Sequence, residues 1–294
     1  MGNSEKKQTC ILTFDIEEWF QVENLKGAIR KSDWRLKKSS VEGNTFKILE
    51  LLNKYGISAT FFILGWIAEE KSGLVSAISA AGHEIACHGF SHDLAYSLNE
   101  EILYQDILRS KMALESITSQ KVIGYRAPSF SISDTVLKIL RDLKFIYDSS
   151  YNPFRWNERY GIITSKLQPV NHSCYLTEYG LLEIPSSTFS LSKFNLPMGG
   201  GAYFRSIPLP IFKVMVRAIL KSKKFYTFYL HPWELEPGQE KIQHIKINYK
   251  FRHYYGLKKT EVKFEKFIQF LKESDCRFLK MEQFTNDLLE KLKK

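Results

Sequence analysis

Short apolar runs rich in β-branched and aromatic residues alternate with longer stretches of helical periodicity along this chain. The short runs predict strands, and the longer stretches predict amphipathic helices. The predicted strands cover residues 10–14, 57–64, 84–87, 122–125, 145–147, 181–184, 225–230 and 277–280. The predicted helices cover residues 45–55, 67–81, 99–118, 133–143, 209–220, 261–274 and 282–293. This repeat favours an α/β protein in which helices join parallel strands through right-handed crossovers.

Polar residues and glycine mark several of the predicted helix ends. Asn44, Asn99 and Ser133 precede helical stretches and are suitable N-caps, and Gly56 follows the first predicted helix as a stop signal. Residues 151–180 interrupt the rhythm with Asn, Arg, Tyr and Gly, which predicts a long insertion. Because about seven or eight strand–helix units follow one another without a linker, we expect a single barrel-like domain.

Composition limits the class of protein. The 294 residues are 44% hydrophobic, which is enough for a large core, and no apolar run is long enough to cross a bilayer. The first seven residues lack the apolar segment of a secretory signal, so we expect a cytoplasmic protein. The four cysteines are far apart in sequence and form no Cys-x-x-Cys pair, which favours buried free thiols.

The chain is basic, with a formal net charge of +10 concentrated at residues 31–38, 221–224 and 291–294. Two interpretations fit this excess: a solvated basic surface, or peripheral contact with an anionic membrane. The apolar stretch 209–220, which carries Lys213 and Arg217 four residues apart, is correspondingly either a barrel helix or a helix resting on a membrane. The chain contains no nucleic-acid-binding motif, so nucleic acid is not expected as a partner.

Two histidines follow a predicted strand at a spacing that suits metal binding. His88 and His92 are four residues apart, and on a helical turn they would share one face. Imidazole pairs are common zinc ligands, but such a site needs a third protein ligand and an open position for water. Without a third ligand, the same pair fits ordinary core or surface histidines.

Chemically reactive residues also follow the other predicted strands, and in a barrel these strand ends meet on one rim. Asp15 and Glu17, two apart after the first strand, point the same way, so one of them can complete the metal site and the other can act as a base. Arg126 is expected to hold a carboxylate in a bidentate grip. Asp148 is expected to pair with His231, fix its ring and raise its pKa.

Several motifs together resemble the polysaccharide deacetylases with NodB homology, carbohydrate esterase family four. In chain order they are Thr13-Phe14-Asp15, the His88/His92 pair, Tyr125-Arg126-Ala127-Pro128, Asp148-Ser149-Ser150 and Leu230-His231-Pro232. Segments 14–20, 199–205 and 231–234 resemble a cytoplasmic branch of the family that is tied to exopolysaccharide loci and has a C-terminal extension. The resemblance implies a distorted (β/α)7 barrel at residues 8–240 and, packed on it, an extension at residues 241–294.

The resemblance also implies a divalent metal, commonly zinc, and hydrolysis of N-acetyl groups on amino sugars. The implied roles are general base for Asp15, metal ligands for His88 and His92, orientation of the base for Arg126, general acid for His231 and tuning of that acid for Asp148. The family has two adjacent aspartates, whereas Ile16 follows Asp15 here. We therefore assign Glu17 as the third ligand, with Glu18 as the alternative.

The expected substrate is an amino-sugar glycan or its lipid-linked or nucleotide-linked precursor. Trp19, Tyr203 and Trp233 are candidates for stacking on sugar rings, although ordinary core or rim positions fit them equally well. Two other functions stay open. One is hydrolysis of another amide, such as a cyclic ureide or an N-formyl sugar. The other is saccharide binding without catalysis.

Overall fold

Parallel strands form the centre of the molecule. This computed structural model describes residues 8–154, 159–171, 173–191 and 194–293. The strands are β1 (Gln8–Ile16), β2 (Thr60–Ile63), β3 (Glu84–Cys87), β4 (Gly124–Tyr125), β5 (Tyr147–Asp148), β6 (Leu167–Pro169), β7 (Tyr175–Thr177), β8 (Leu182–Glu183), β9 (Thr188–Leu191), β10 (Phe194–Pro197), β11 (Phe225–Leu230) and β12 (Cys276–Phe278). The main sheet has the order β11-β1-β2-β3-β4-β5-β8-β7-β6, and β12 also pairs with β1.

Helices follow most of these strands. They are α1 (Val41–Tyr55), α2 (Gly65–Glu70), α3 (Ser72–Ala80), α4 (Glu100–Thr118), α5 (Asp134–Asp142), α6 (Gly201–Ser206), α7 (Leu209–Lys223), α8 (Ile247–Tyr254), α9 (Leu257–Glu273) and α10 (Met281–Leu292). None of the helices in the described ranges has both the length and the apolar character needed to cross a bilayer.

The seven strands from β11 to β8 are all parallel, and they curve into the expected distorted barrel. No ladder joins β8 to β11 among the described residues. The segment that follows β8 connects the two strands instead. Thr227 of β11 donates its backbone N–H to Ser187 Oγ at 2.8 Å and its hydroxyl to the Pro185 carbonyl at 3.0 Å. The α/β barrel predicted from the sequence pattern is thereby confirmed, with an irregular closure.

Aromatic packing fixes the helices on the barrel. Phe228 of β11 stacks on Phe264 of α9 with ring centroids 5.6 Å apart, and Phe14 of β1 meets the same ring edge-on. All three side chains are fully buried, and each such burial contributes about 1.5–3 kcal/mol. Because α9 lies in the predicted C-terminal extension, that extension shares the core of the barrel.

Two predicted helix starts are confirmed and one is wrong. Asn99 Oδ1 accepts the Ile102 N–H at 2.8 Å, and Ser133 Oγ accepts the Val136 N–H at 3.3 Å. Asn44 lies inside α1, which begins at Val41. The predicted stop at Gly56 is confirmed, since this residue has the left-handed φ of 62° that glycine adopts without strain.

Segments outside the predicted elements add sheet and helix. The expected insertion at residues 151–180 contributes β6 and β7, which extend the sheet antiparallel beyond β8. In the C-terminal part, α8 was not predicted, and β12 pairs with the first half of β1. At the start of α10, Met281 N–H donates to Thr60 Oγ1 and Glu282 N–H donates to Glu84 Oε2. The domain boundary at residue 240 stays a prediction.

Candidate metal centre and active site

Three ligand-type side chains converge at the carboxyl ends of β1 and β3. One ligand atom from each of Glu17, His88 and His92 lies within 4.8 Å of the other two, and all three residues are buried. The segment 88–92 is a loop, not the helical turn from which the sequence argument started, because Gly89 has φ 73° and His92 has φ 54°. The two imidazoles therefore converge through a left-handed loop.

The surroundings of these side chains fit a cation. His88 Nδ1 lies 2.7 Å from the Arg126 carbonyl oxygen and donates to it, which leaves Nε2 as the free lone pair. Burial lowers the pKa of His88 to about 4, so the ring is neutral. Glu17 Oε2 lies 2.6 Å from His92 Nε2, so these two ligand-type atoms face each other directly. Two imidazole nitrogens and one carboxylate are a typical zinc ligand set.

Glu17 is held as an anion in this cluster. Burial by itself would raise the pKa of Glu17, but the charges of His92 and His231 outweigh it and hold the pKa well below its ordinary value. The indole Nε1 of Trp233 donates to Glu17 Oε1 at 3.0 Å. One carboxylate oxygen is thus fixed by the indole, and the other faces the two histidines.

Glu18, the alternative third ligand, has a different function in the fold. Its Oε2 accepts the backbone N–H groups of Ser40 and Val41 at 3.0 and 3.3 Å, and Ser39 donates to its other oxygen. A carboxylate at this position caps the first turn of α1 and favours the helix dipole. Of the two glutamates, only Glu17 belongs to the cluster.

The predicted contact between Arg126 and Asp15 is confirmed, but it is not bidentate. Arg126 Nη1 donates to Asp15 Oδ1 at 2.6 Å and to Thr13 Oγ1 at 2.8 Å, while Nε and Nη2 bond the carbonyl and hydroxyl of Ser149 at 3.1 and 3.0 Å. The guanidinium also lies over the Phe62 ring, 4.1 Å from its centroid. Since Arg126 and Asp15 are both buried, this contact fixes the position of the Asp15 side chain.

His231 faces the same cluster from the end of β11. Its Nε2 lies 3.8 Å from Asp15 Oδ2 and 3.6 Å from Glu17 Oε1, and its Nδ1 lies 2.7 Å from Glu234 Oε1. Burial would lower the pKa of His231, but the charges of Glu17 and Glu234 and the hydrogen bond to Glu234 raise it to about 9. Without a cation in the cluster, the ring is protonated and Nε2 points its proton toward the carboxylates.

The predicted pairing of Asp148 with His231 is wrong. Asp148 accepts the backbone N–H of Ser150 at 3.1 Å and its hydroxyl at 2.6 Å, and it shares a hydrogen bond with Glu183. Burial and the neighbouring Asp148 charge raise the pKa of Glu183 well above its usual range. Asp148 thus has its hydrogen-bond partners in Glu183 and Ser150. The partner of His231 is Glu234 instead.

Two of the three aromatic candidates for sugar stacking do not line the cavity beside the metal cluster. Trp19 is 3% exposed, packs edge-on against Phe20 in the core and donates its indole N–H to the Lys38 carbonyl. Tyr203 packs edge-on against Phe154 and is not among the residues that line the cavity beside the metal cluster. Trp233 does line the cavity, but its ring stacks on His231, and its N–H is committed to Glu17. These contacts make Trp19 a core residue and Trp233 a support for Glu17.

A cavity of about 90 Å³ opens above the cluster. Asp15, Glu17, His88, His92 and His231 all contribute to its wall. The remaining aromatic rings of the wall come from Phe130, Tyr160, Tyr229 and Trp233. The expected convergence of strand ends on one rim is confirmed for these residues, since they follow β1, β3 and β11.

Glu234 and Arg205 were not identified from the sequence. Arg205 forms a buried ion pair with Glu234 and also donates to the backbone carbonyls of Arg252 at 2.7 Å and His253 at 3.1 Å. The spacing His231-Pro232-Trp233-Glu234 is a capping-box pattern, which could have indicated a glutamate folding back on its histidine. No local pattern could have indicated Arg205, because its partners lie 29 to 50 residues further along the chain.

Comparison with known proteins divides the chain near its middle. Residues 2–147 match the family model described as Polysaccharide deacetylase, and residues 149–286 match a Domain of unknown function (DUF3473). A peptidoglycan-N-acetylglucosamine deacetylase of Bacillus cereus is 33% identical over 98 residues, which are 33% of this chain and 46% of that protein. The chain thus spans less than half the length of this curated relative.

Solved structures with the same fold cover nearly the whole chain. A structure from Mycobacterium smegmatis assigned to the polysaccharide deacetylases aligns with a TM-score of 0.61 and 17% identity, over 99% of this chain and 93% of that one. The Puue allantoinase aligns with a TM-score of 0.63 and 14% identity, over 96% of this chain and 91% of that one. At these identities the likeness concerns the fold alone. The match at residues 2–147, which contain Asp15, Glu17, His88, His92 and Arg126, identifies this part of the chain as a polysaccharide deacetylase domain.

Proposed function

We propose that this protein is a metal-dependent hydrolase that removes N-acetyl groups from an amino-sugar glycan or its precursor. The observation that carries the proposal is the buried set Glu17, His88 and His92 beside an arginine-held Asp15 and an acid-competent His231. A binding protein would need neither a fixed base nor a proton donor next to a metal site. The family match and the deacetylase names of relatives support the same chemistry.

Glu17, His88 and His92 would hold the metal, and zinc fits their donor atoms best. When bound, such a metal supplies Lewis acidity toward an acetyl carbonyl and lowers the pKa of water. The chain's own residues supply the proton transfers. Arg126 fixes Asp15 through Oδ1, so Asp15 Oδ2, which lies on the side of His231, is available to accept the proton of an attacking water.

His231 is suited to protonate the departing amine. Glu234 fixes Nδ1 as a donor, so the second proton of the ring sits on Nε2, which faces the cavity. The base and the acid thus line the same cavity, with Asp15 Oδ2 and His231 Nε2 3.8 Å apart. This order gives acetate and a free amino sugar.

The test is acetate release from chitooligosaccharides and from peptidoglycan by zinc-loaded protein. We expect Asp15→Asn to abolish release while the protein still binds zinc, because its charge and not its shape is lost. Asp142→Asn, a surface substitution beside Arg141, is the matched control and should leave release unchanged. Zinc-loaded protein that releases no acetate from either substrate or from a lipid-linked N-acetylhexosamine would falsify the proposal. Turnover of allantoin or an N-formyl sugar instead would assign the site to another amide.

The finer assignments also belong to this proposal. A lipid-linked sugar is the substrate form that we favour, because the net charge of +10 suits an anionic surface. Assays with a lipid-linked N-acetylhexosamine in vesicles test this form directly. We expect a higher kcat/KM for it than for the same sugar free in solution, and equal values would contradict the preference.

A further inference from the structure

A second cavity, of about 950 Å³, lies on the other side of α6 from the metal cluster. We call it the basic groove. Gly201 and Ala202 of α6 line the small cavity, Ser206 lines the groove, and Arg205 contributes to both walls. The volume falls within the range of ligand-binding sites, roughly 300–1,000 Å³. The two cavities are therefore separated by a single short helix.

The lining of the basic groove combines positive charge with apolar surface. Its lysines are Lys241, Lys258, Lys259, Lys263 and Lys266. Its apolar residues are Ile207, Pro208, Leu209, Pro237, Leu257 and Val262. The described lining contains neither aspartate nor glutamate. A site with this lining matches an anionic ligand that also has an apolar part.

One face of α9 presents most of this charge. Lys259, Val262, Lys263 and Lys266 follow the i, i+3, i+4, i+7 spacing that places side chains on the same side of a helix. Lys263 is tied down, since its Nζ donates to the carbonyls of Phe204 and Ile207. Lys259 and Lys266 are exposed and form no ion pair with any residue of the described ranges.

Exposed apolar side chains occur in the groove and also on another side of α7. Ile211 and Val214 of α7 are 52% and 63% exposed, and Val262 of α9 is 58% exposed. The first turn of α7 itself lines the groove through Leu209. Large aliphatic side chains next to unpaired lysines are typical of surfaces that contact lipid, where the lysines meet phosphate and the aliphatic groups enter the interface.

We infer that the basic groove and the adjoining ends of α7 and α9 dock on anionic phospholipid at a membrane surface. The inference rests on the proposed function, because docking there would bring the metal cavity, just across α6, next to a lipid-linked sugar. The apolar lining favours phospholipid over a purely polar polyanion such as nucleic acid. Phosphatidylglycerol, which has an anionic head and acyl chains, is a suitable probe.

The experiment is cosedimentation with vesicles of phosphatidylglycerol and, separately, of phosphatidylcholine at low ionic strength. The wild type should bind the anionic vesicles only, and binding should weaken as salt is added. Lys259→Gln/Lys266→Gln should lower the partition coefficient roughly 30-fold, since each lysine near an anionic surface contributes about a 5-fold factor. The matched control is Lys121→Gln/Lys144→Gln, which removes the same charge from exposed positions before β4 and β5.

Three results would overturn the inference. They are wild-type protein that does not bind anionic vesicles, a groove variant that binds as well as the wild type, and equal losses in the groove and control variants. A groove-dependent affinity for a DNA oligonucleotide without vesicle binding would assign the groove to a polyanion instead. Acetate release from a soluble chitooligosaccharide should be the same in wild type and groove variant. Wild-type protein that binds vesicles but releases no acetate would support the docking surface and contradict the proposed deacetylase function.

Discussion

Replacing Glu234 by glutamine tests how the fold prepares the proposed acid. The substitution keeps the shape and one acceptor oxygen but removes the negative charge. In the structure, Glu234 Oε1 accepts from His231 Nδ1 at 2.7 Å and from the His231 backbone N–H at 3.2 Å, and Oε2 binds Arg205. Glu234 itself is fully buried, so water cannot take the place of the missing charge.

The size of the effect follows from the contact that is weakened. A hydrogen bond to a charged group contributes about 1.5–3 kcal/mol, so kcat/KM should fall roughly 10- to 150-fold. Glu234 raises the pKa of His231 in the structure, and its neutral replacement should lower that pKa. The acid form of His231 is then lost at a lower pH, and the alkaline limb of the pH–rate profile moves to lower pH.

The assay is acetate release across a pH series, together with urea unfolding of each protein. Unfolding separates catalysis from folding, because Glu234→Gln also leaves Arg205 without its buried counter-charge and should destabilise the fold by several kcal/mol, about 3–5. Glu236→Gln is the control, since that carboxylate lies nearby and, among the described residues, accepts a hydrogen bond only from the Gly238 N–H. Reduced stability with an unchanged kcat/KM and pH profile would show that Glu234 is structural and does not position His231.

Three further changes test separate parts of the account. Burial raises the pKa of Glu84 from 4.5 to about 7. Protonated Glu84 therefore stabilises the fold below pH 4.5, and that contribution, about 3 kcal/mol, is lost as the pH rises through about 7. Urea unfolding of Glu84→Gln should lack this pH dependence, and an unchanged dependence would contradict the assignment. Trp233→Phe removes the N–H that fixes Glu17 and should weaken zinc affinity roughly 10- to 100-fold by calorimetry, whereas an unchanged affinity would refute the contact. Arg126→Lys cannot bond Asp15, Thr13 and Ser149 together, so kcat should fall at least about 10-fold with zinc still bound, and full activity would refute its role.

The sequence indicated the barrel because its evidence is local and repeated. Each parallel strand from β1 to β4 is a buried run followed by a helix, and this alternation is present in the structure from β1 to α5. The break at residues 151–180 was visible as well, but its two strands were not, because β6 and β7 are three residues each and pair only with the edge of the sheet. Elements this short carry too little periodicity to be identified.

For the site as well, local sequence patterns identified some residues, whereas others depend on long-range contacts. Asp15 and Glu17 could be placed on one side from the alternation of a strand, and both line the cavity. His88 and His92 could be paired, but through the wrong geometry, since the backbone of His92 is left-handed. The predicted pairing of His231 with Asp148 was wrong, because side chains at two strand ends on the same rim are not necessarily in contact.

Arg205 illustrates the limit most clearly. Its role depends on carbonyl groups of residues 252–255 and on a carboxylate 29 residues away, contacts that only the folded chain creates. The C-terminal half of the chain therefore contributes to the candidate site through packing that residue patterns do not encode.

Calorimetric titration of metal-free protein with zinc tests the central claim, that Glu17, His88 and His92 hold one cation. The account predicts one zinc per chain in the wild type and in Asp15→Asn, and loss of that site in His92→Ala. Glu18→Gln, which alters only the cap of α1, should retain the site. Zinc binding by His92→Ala at the wild-type affinity would contradict the account, because the cluster would then not be where the metal lies.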